Sequence, residues 1–402
     1  MTTSATLTPG DRLARRNVLL LAIASALAGA NASVVFATGA IVGSMLAPDP
    51  VYATFPVSMF VVGMAAGTLP NGWISRNYGR RVAMMTGTVM GMLIGFFAML
   101  AVVYESFPLY CMATFFGGTY ASVAQSYRFA AADTASDAFK PRAISWVMAG
   151  GVFAGVLGPQ LVNMTMNMTM HLFAASYAAQ IVVAIVAFII VSRVDIPKPA
   201  TGKGHGGRPL GEIIAQPKFI AAALCGVTSY ALMNLVMTSA PLAMRMCGHS
   251  LTDSNNAIQW HVLAMYGPSF FTGSLIGRFG IPRVIAAGLI LLAAAALVDL
   301  AGITVWHFWI GLILLGIGWN FGFIGASALV TQCHHPDERN KVQAFNDFLI
   351  FGTMAIGSFS SGQMLATLGW NSVNLVVFPP VVLAGLALVW LTIKTRQGKA
   401  VA

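Results

Sequence analysis

Eight side chains with uncharged hydrogen-bonding or aromatic groups stand inside long apolar stretches of the chain: Asn31, Tyr120, Gln160, Tyr230, Asn234, His261, Trp319 and Asn320. Such groups can hold a neutral, partly aromatic solute, with amide, hydroxyl and imidazole partners for its polar edge and rings for its flat face. The same groups also tie helices together inside a membrane, so each has a second, purely structural use. His261, a lone histidine on a helix, reads first as a packed, hydrogen-bonded residue rather than a proton relay. Charged groups at mid-membrane depth are almost absent; Asp299, near the outer end of its apolar run, reads as reaching toward water. There are no paired acids for a metal and no Ser/His/Asp set, so the residues point to binding rather than catalysis. No metal and no cofactor are expected, and an enzyme is not.

The elements that position these groups are membrane helices. The chain is 57% hydrophobic and only 8% charged, with a mean hydropathy of +0.77. A soluble domain carries about a quarter charged residues, so most of this surface must face lipid. A bilayer needs roughly 20 apolar residues per helix. That ruler gives twelve spans, near 18–43, 52–74, 82–103, 108–131, 143–164, 172–192, 219–243, 257–277, 283–303, 306–331, 343–366 and 372–393. The apolar run after the basic residues Arg12, Arg15 and Arg16 is too long for a signal peptide core and is read as a retained first span. The polar stretch between the sixth and seventh spans, rich in Pro and Gly, reads as a flexible linker. The expected organisation is an N-terminal six-helix bundle (1–192), a linker (193–218) and a C-terminal six-helix bundle (219–402).

With the N-terminus inside, every one of the 22 Lys and Arg residues except Arg245 falls on the cytoplasmic side. One helix more or fewer would scatter them, so the positive-inside rule supports both the count and the orientation, with both termini cytoplasmic. The formal net charge of +10 is spread over short loops rather than gathered on one face, which argues against nucleic acid as a partner. The four cysteines, Cys111, Cys225, Cys247 and Cys333, have no metal or redox spacing and read as unpaired.

Two short basic turns repeat across the halves. Gly72-Trp-Ile-Ser-Arg-Asn-Tyr-Gly79-Arg80-Arg81 follows the second span, and Gly273-Ser-Leu-Ile-Gly-Arg278-Phe-Gly280-Ile-Pro-Arg283 follows the eighth. Their first glycines stand at 72 and 273, 201 residues apart in a 402-residue chain. This is the mark of a duplicated membrane unit. The turn resembles the G-x-x-x-D-R-x-G-R-R signature of the major facilitator superfamily, matched by Gly72, Gly79, Arg80 and Arg81 and, in the echo, by Gly273, Arg278 and Gly280. Arg76 and Gly277 replace the family's Asp, so its gating contacts do not carry over directly. Acid and base recur together after the fourth span (Arg128, Asp133) and after the tenth (Asp337, Glu338, Arg339, Lys341); such pairs read either as surface pairs of little energetic weight or as a latch of one state between rocking halves. Asp347, just inside the eleventh span, is a partner for such a base.

The resemblance covers essentially the whole chain. It implies an all-α membrane protein, twelve transmembrane helices in two pseudo-symmetric six-helix bundles, working as a secondary transporter by alternating access. In that family the first, fourth, seventh and tenth helices line the central cavity, which assigns Asn31, Tyr120, Tyr230, Asn234, Trp319 and Asn320 to it. Gln160 on the fifth helix and His261 on the eighth are within reach. The first span has Asn31 where some antiporters carry an acid, the fourth has Ala113 in place of a buried Arg, and Gly158-Pro159 only partly matches the antiporter motif; these departures argue against proton antiport. The phrases Tyr127-Arg-Phe-Ala-Ala-Ala-Asp133, Ala143-Ile-Ser-Trp-Val-Met-Ala-Gly-Gly151 and Gln259-Trp-His-Val-Leu-Ala-Met-Tyr-Gly-Pro-Ser-Phe-Phe271 resemble a bacterial branch that includes riboflavin importers. The resemblance thus implies uptake of a small neutral solute such as riboflavin across the bacterial inner membrane, with the lipid bilayer as surroundings and a monomer as the working form. The alternative is a drug or metabolite exporter of the same superfamily.

Overall fold

The computed structural model describes residues 9–49, 52, 55–196 and 207–401. In chain order the first half gives α1 (Pro9–Leu46), α2 (Phe55–Tyr78), α3 (Arg80–Val103), α4 (Phe107–Gln125), α5 (Tyr127–Asp133), α6 (Lys140–Thr165) and α7 (Ala174–Val191). A short α8 (Leu210–Ile214) leads into α9 (Pro217–Met246), α10 (Leu251–Tyr266), α11 (Ser269–Phe279), α12 (Ile281–Ala301), α13 (Val305–Val330), α14 (Arg339–Leu375) and α15 (Phe378–Val401). Nine helices among the described residues are long and apolar enough to cross a membrane on their own. The other three spans are α4 continued by α5, α10 continued by α11, and α14 as far as Leu368. Together they make twelve, six in each bundle.

Two spans that read as single runs are broken, each for a local reason. Ser126 separates α4 from α5, and its amide bonds back to the carbonyls of Ser122 and Val123, a tightened turn. Pro268, which has no N–H to continue the ladder, stands between α10 and α11. Gly369 leaves the helical region within α14, at φ 77°, and marks the passage from the eleventh span to the twelfth.

The two basic turns end alike. Gly79 lies between α2 and α3 at φ 94°, and Gly280 between α11 and α12 at φ 85°. A side chain in that left-handed region costs roughly 1–2 kcal/mol, which is why glycine stands at the second repeated glycine position of each turn. The first glycines serve a different purpose. A Cβ on Gly72 would meet the Ala344 Cβ at 2.3 Å, and one on Gly273 would meet the Arg142 Cα at 2.6 Å. Each therefore marks a place where a helix of one bundle touches the other, α2 on α14 and α11 on α6.

Within the first bundle α1 packs on α6, and α3 on α4 and α7; within the second α12 packs on α13, and α9 on α13 and α14. The bundles meet along α2–α14 and along α6 with α10 and α11. The helix ends that carry the basic turns are called the basic end here; α1 begins there and α15 ends there. Of the expected linker 193–218, residues 197–206 lie outside the described residues. The rest is pinned rather than free. Asn17 Nδ2 donates to the Asp195 carbonyl at 2.7 Å, and Arg208 pairs with Glu338 at 2.7 Å.

Candidate functional site

A cavity lies between the bundles, and the interface between repeats near mid-membrane is where transporters of duplicated design hold their solutes. Its walls follow from helical spacing. Helix α9 presents Tyr230, Met233, Asn234 and Met237, the i, i+3, i+4, i+7 face; α1 presents Ser25, Ala28, Gly29, Ala32, Ser33 and Phe36. Helices α6 (Met148, Gly151, Ala154, Gly155) and α10 (Val262, Met265, Tyr266) close the side where the bundles touch. Gln125, the last residue of α4, is the polar group deepest toward the basic end.

Among the described residues, the lining contains no Lys, Arg, Asp, Glu or His. Its polar groups are the hydroxyls of Ser25, Ser33, Tyr230 and Tyr266 and the amides of Gln125 and Asn234. Six methionines, Met64, Met148, Met233, Met237, Met265 and Met354, supply polarizable, adaptable surface suited to a flat ring. Behind Tyr230 and Tyr266 stands Trp319, edge-on to both at 5.5 Å between ring centroids and stacked on Phe323 at 5.2 Å. The Asn234 Nδ2 has no hydrogen-bond partner among the described residues although the side chain is buried. A buried amide donor left open costs about 1–3 kcal/mol.

Of the eight side chains singled out in the sequence, Tyr230 and Asn234 line this cavity and Trp319 backs it. The other five do not line it. Asn31 is turned to α7, where its Oδ1 accepts from Gln180 Nε2 at 2.5 Å. Tyr120 faces α3, its ring lying where a Cβ on Gly91 would stand. Gln160 is exposed. His261 packs on α13 with Nδ1 against the Leu312 carbonyl at 2.7 Å. Asn320 is saturated within its own bundle, donating to the Met265 carbonyl and Ser269 Oγ and accepting from Thr272 Oγ1, each at 2.6 Å. Asp299 does not reach water; it is 1% exposed, lies against Gly311, and its oxygens have no hydrogen-bond partner among the described residues. Gln125, Tyr266 and the methionines were the sequence's omissions. The i, i+3, i+4, i+7 face of α9 was the signal that would have found Met233 and Met237.

Below the cavity, toward the basic end, the bundles are locked by buried charge. Asp133 Oδ2 accepts from Arg80 Nε at 2.8 Å and pairs across the bundles with Arg339 at 3.5 Å. Arg80 also donates to Gln343 Oε1 on α14. The fully buried Arg128 reaches Asp347 Oδ1 on α14 at 2.5 Å and Ser327 Oγ on α13 at 3.0 Å, and caps the Gln125 carbonyl. Its guanidinium lies 4.6 Å over the Phe323 ring. Ser145 on α6 donates to the Ser269 carbonyl and accepts from the Gly273 amide, the same cross-bundle seam on the other side. Arg80, Arg128, Asp133 and Arg339 are thus brought together, with Gly72 and Gly273 at the two seams. Arg81 and Arg278 are exposed, the latter lying over Phe279.

The loop between α13 and α14 anchors this lock. Hydrogen bonds from Arg208 hold the Glu338 carboxyl well below the usual range, and Lys341 Nζ donates to the Arg208 carbonyl at 2.5 Å. His334 in the same loop, next to Gln343 at 3.1 Å, is pushed down to about 4 by burial.

Comparison with known proteins gives consistent matches. The model of the Major Facilitator Superfamily matches residues 18–267 and 222–402. The riboflavin transporter RfnT of Brucella anthropi is 47% identical over 380 residues, covering 94% of this chain and 96% of that protein. The uncharacterized MFS-type transporter YdeG of Bacillus subtilis is 29% identical over 90% of this chain and 89% of its own. Among solved structures, the proton:xylose symporter XylE superposes with a TM-score of 0.78 at 14% identity, over 94% of this chain and 95% of that one. The human organic anion transporter MFSD10 gives 0.77 at 14% identity, over 95% and 100%. At such identities the structural matches speak to the fold alone.

Proposed function

The chain belongs to the major facilitator superfamily, and from that premise we propose that it imports riboflavin across the bacterial inner membrane. The observation that carries the reading is the cavity's chemistry. Amide and hydroxyl groups stand among aromatic rings and methionine sulfurs, and among the described residues no charged side chain lines it. A flavin asks for this combination: a flat tricyclic ring, a polar edge that pairs with amides, and a neutral chain of hydroxyls. The similarity to a riboflavin transporter over 94% of the chain names the same solute.

In this reading the basic end is cytoplasmic, as the distribution of Lys and Arg favours. The buried pairs Arg128–Asp347 and Arg339–Asp133 then close the cytoplasmic side, and the conformation is one in which the cavity is shut from the cell interior. Import requires those pairs to part once solute is bound. Tyr230 and Asn234 contact the solute, Trp319 holds Tyr230 and Tyr266 upright, and Gly79 and Gly280 let the turns form. The working form is a monomer, whose two bundles complete the site.

The test is uptake of labelled riboflavin into a riboflavin auxotroph that expresses the gene. Growth at low external riboflavin and saturable uptake are expected. No uptake, together with raised drug tolerance, would replace the proposal with that of an exporter.

A further inference from the structure

The floor of the cavity and the lock beneath it are joined by one interrupted helix. Gln125 closes α4, Ser126 breaks the ladder, and Arg128 stands in the first turn of α5. The break frees the Gln125 carbonyl, and the Arg128 guanidinium caps it. The same guanidinium makes the buried contacts with Asp347 and Ser327 of the other bundle. Only Ser126 and Tyr127 therefore separate a side chain in the solute cavity from the charge that holds the bundles shut.

The Gln125 side chain itself bridges the bundles. Its Nε2 donates to the Tyr230 hydroxyl at 3.4 Å, at the long limit for such a bond and so weakly held. The Tyr230 ring is edge-on to Phe323 at 5.0 Å, and Phe323 carries the Arg128 guanidinium on its face. A solute with a better acceptor would take the Gln125 amide from Tyr230 at little cost, removing the one hydrogen bond between the bundles at the cavity floor that these residues make.

We propose that Gln125 is the residue through which bound solute releases the Arg128–Asp347 lock. The solute's polar edge accepts from the Gln125 amide, the α4–α5 break shifts with it, and Arg128 loses its geometry on Asp347. Gln125 thus touches the solute and acts on the gate through Arg128. The inference rests on the reading of the cavity as the solute site.

The experiment uses the full chain in nanodiscs, with spin labels on cysteines replacing Arg76 and Lys394, exposed residues at the basic ends of the two bundles, and Cys247→Ser to remove the partly exposed thiol. Riboflavin binding is titrated on each variant by quenching of its fluorescence. In the parent, riboflavin is expected to raise the long-distance population severalfold. Gln125→Leu should still bind within about tenfold of the parent yet show no riboflavin-dependent shift. Asp347→Asn should be open with or without riboflavin. A normal shift in Gln125→Leu overturns the proposal. An Asp347→Asn variant that stays closed removes the lock itself. Failure of the parent to bind riboflavin is a different result, since it sinks the solute reading first and the coupling with it.

Discussion

Removing the Asp347 carboxylate is the perturbation whose size follows most directly from the geometry. Arg128 is 0% exposed and Asp347 4% exposed, and the pair spans the two bundles at 2.5 Å. Breaking a buried pair by deleting one partner costs about 3–5 kcal/mol, because the other charge stays buried without compensation. The contact belongs to the closed basic end, so that cost falls on the closed conformation. At about 1.4 kcal/mol per tenfold, the open form should gain on the order of a hundred- to several-thousandfold. Replacing both partners by apolar residues of similar volume should recover most of the loss, since no charge is then stranded. The assay is alkylation of a cysteine at Ser75, which is 2% exposed beside Gly72, Asn340 and Ala344, with Cys333→Ser to silence the native thiol. Asp347→Leu should speed labelling at least tenfold, and Arg128→Met/Asp347→Leu should return it to within a few fold of the parent. Equal rates in parent and single variant, or a double variant as reactive as the single, would refute the reasoning.

Asn234→Ala should weaken riboflavin binding about two- to tenfold, the loss of about 0.5–1.5 kcal/mol for one hydrogen bond, with an unchanged melting temperature, whereas Asn320→Ala should lower the melting temperature by stranding Met265, Ser269 and Thr272; a fluorescence titration beside a thermal melt separates them. Gly79→Leu should impair transport far more than Arg76→Ala, because φ 94° at position 79 penalises any side chain while Arg76 is exposed; uptake at matched expression decides. Acid should weaken the folded, closed state in two windows. Burial holds His334 near 4, below its ordinary 6.5, so its unfolded form takes a proton first and stability falls as pH drops from about 6.5 to 4. The Glu338 carboxyl is depressed by Arg208, so its contribution is present above about 4.5 and lost below it. Melting curves of His334→Gln and Glu338→Gln across pH 3–8 should each lose one window and keep the other.

Much of the fold was legible because lipid imposes a simple rule: twelve apolar runs, charges confined to the turns, and a repeat at half the chain. The breaks at Ser126 and Pro268 were not, since neither residue interrupts the apolar pattern that a length ruler reads. The lock was partly legible. Acid and base at Arg128, Asp133 and Arg339, with Asp347 just inside its span, stand where the sequence alone offers them to one another. The cavity was less so. Asn31, Tyr120, His261 and Asn320 share the depth and chemistry of Asn234, and what separates them is the direction each side chain takes from its helix. Asn31 meets Gln180 and Asn320 meets Ser269 and Thr272, while Asn234 is on the cavity wall. Depth along a helix can be counted from sequence; rotation about its axis needs the neighbours. Met148 and Met265 were passed over for a similar reason, since methionine in an apolar run looks like packing until the space beside it is seen.

Titration of the purified full chain with riboflavin and with its 5′-phosphate, read by quenching of flavin fluorescence, tests the solute assignment most directly. The two ligands share the ring and differ by a dianion, for which the cavity offers no countercharge and whose unpaired burial is heavily penalised. Riboflavin should bind saturably and more weakly to Asn234→Ala, with the phosphate ester at least a hundredfold poorer. Equal affinity for the two, or no binding of riboflavin by a folded protein, would contradict the assignment of this cavity to a neutral flavin.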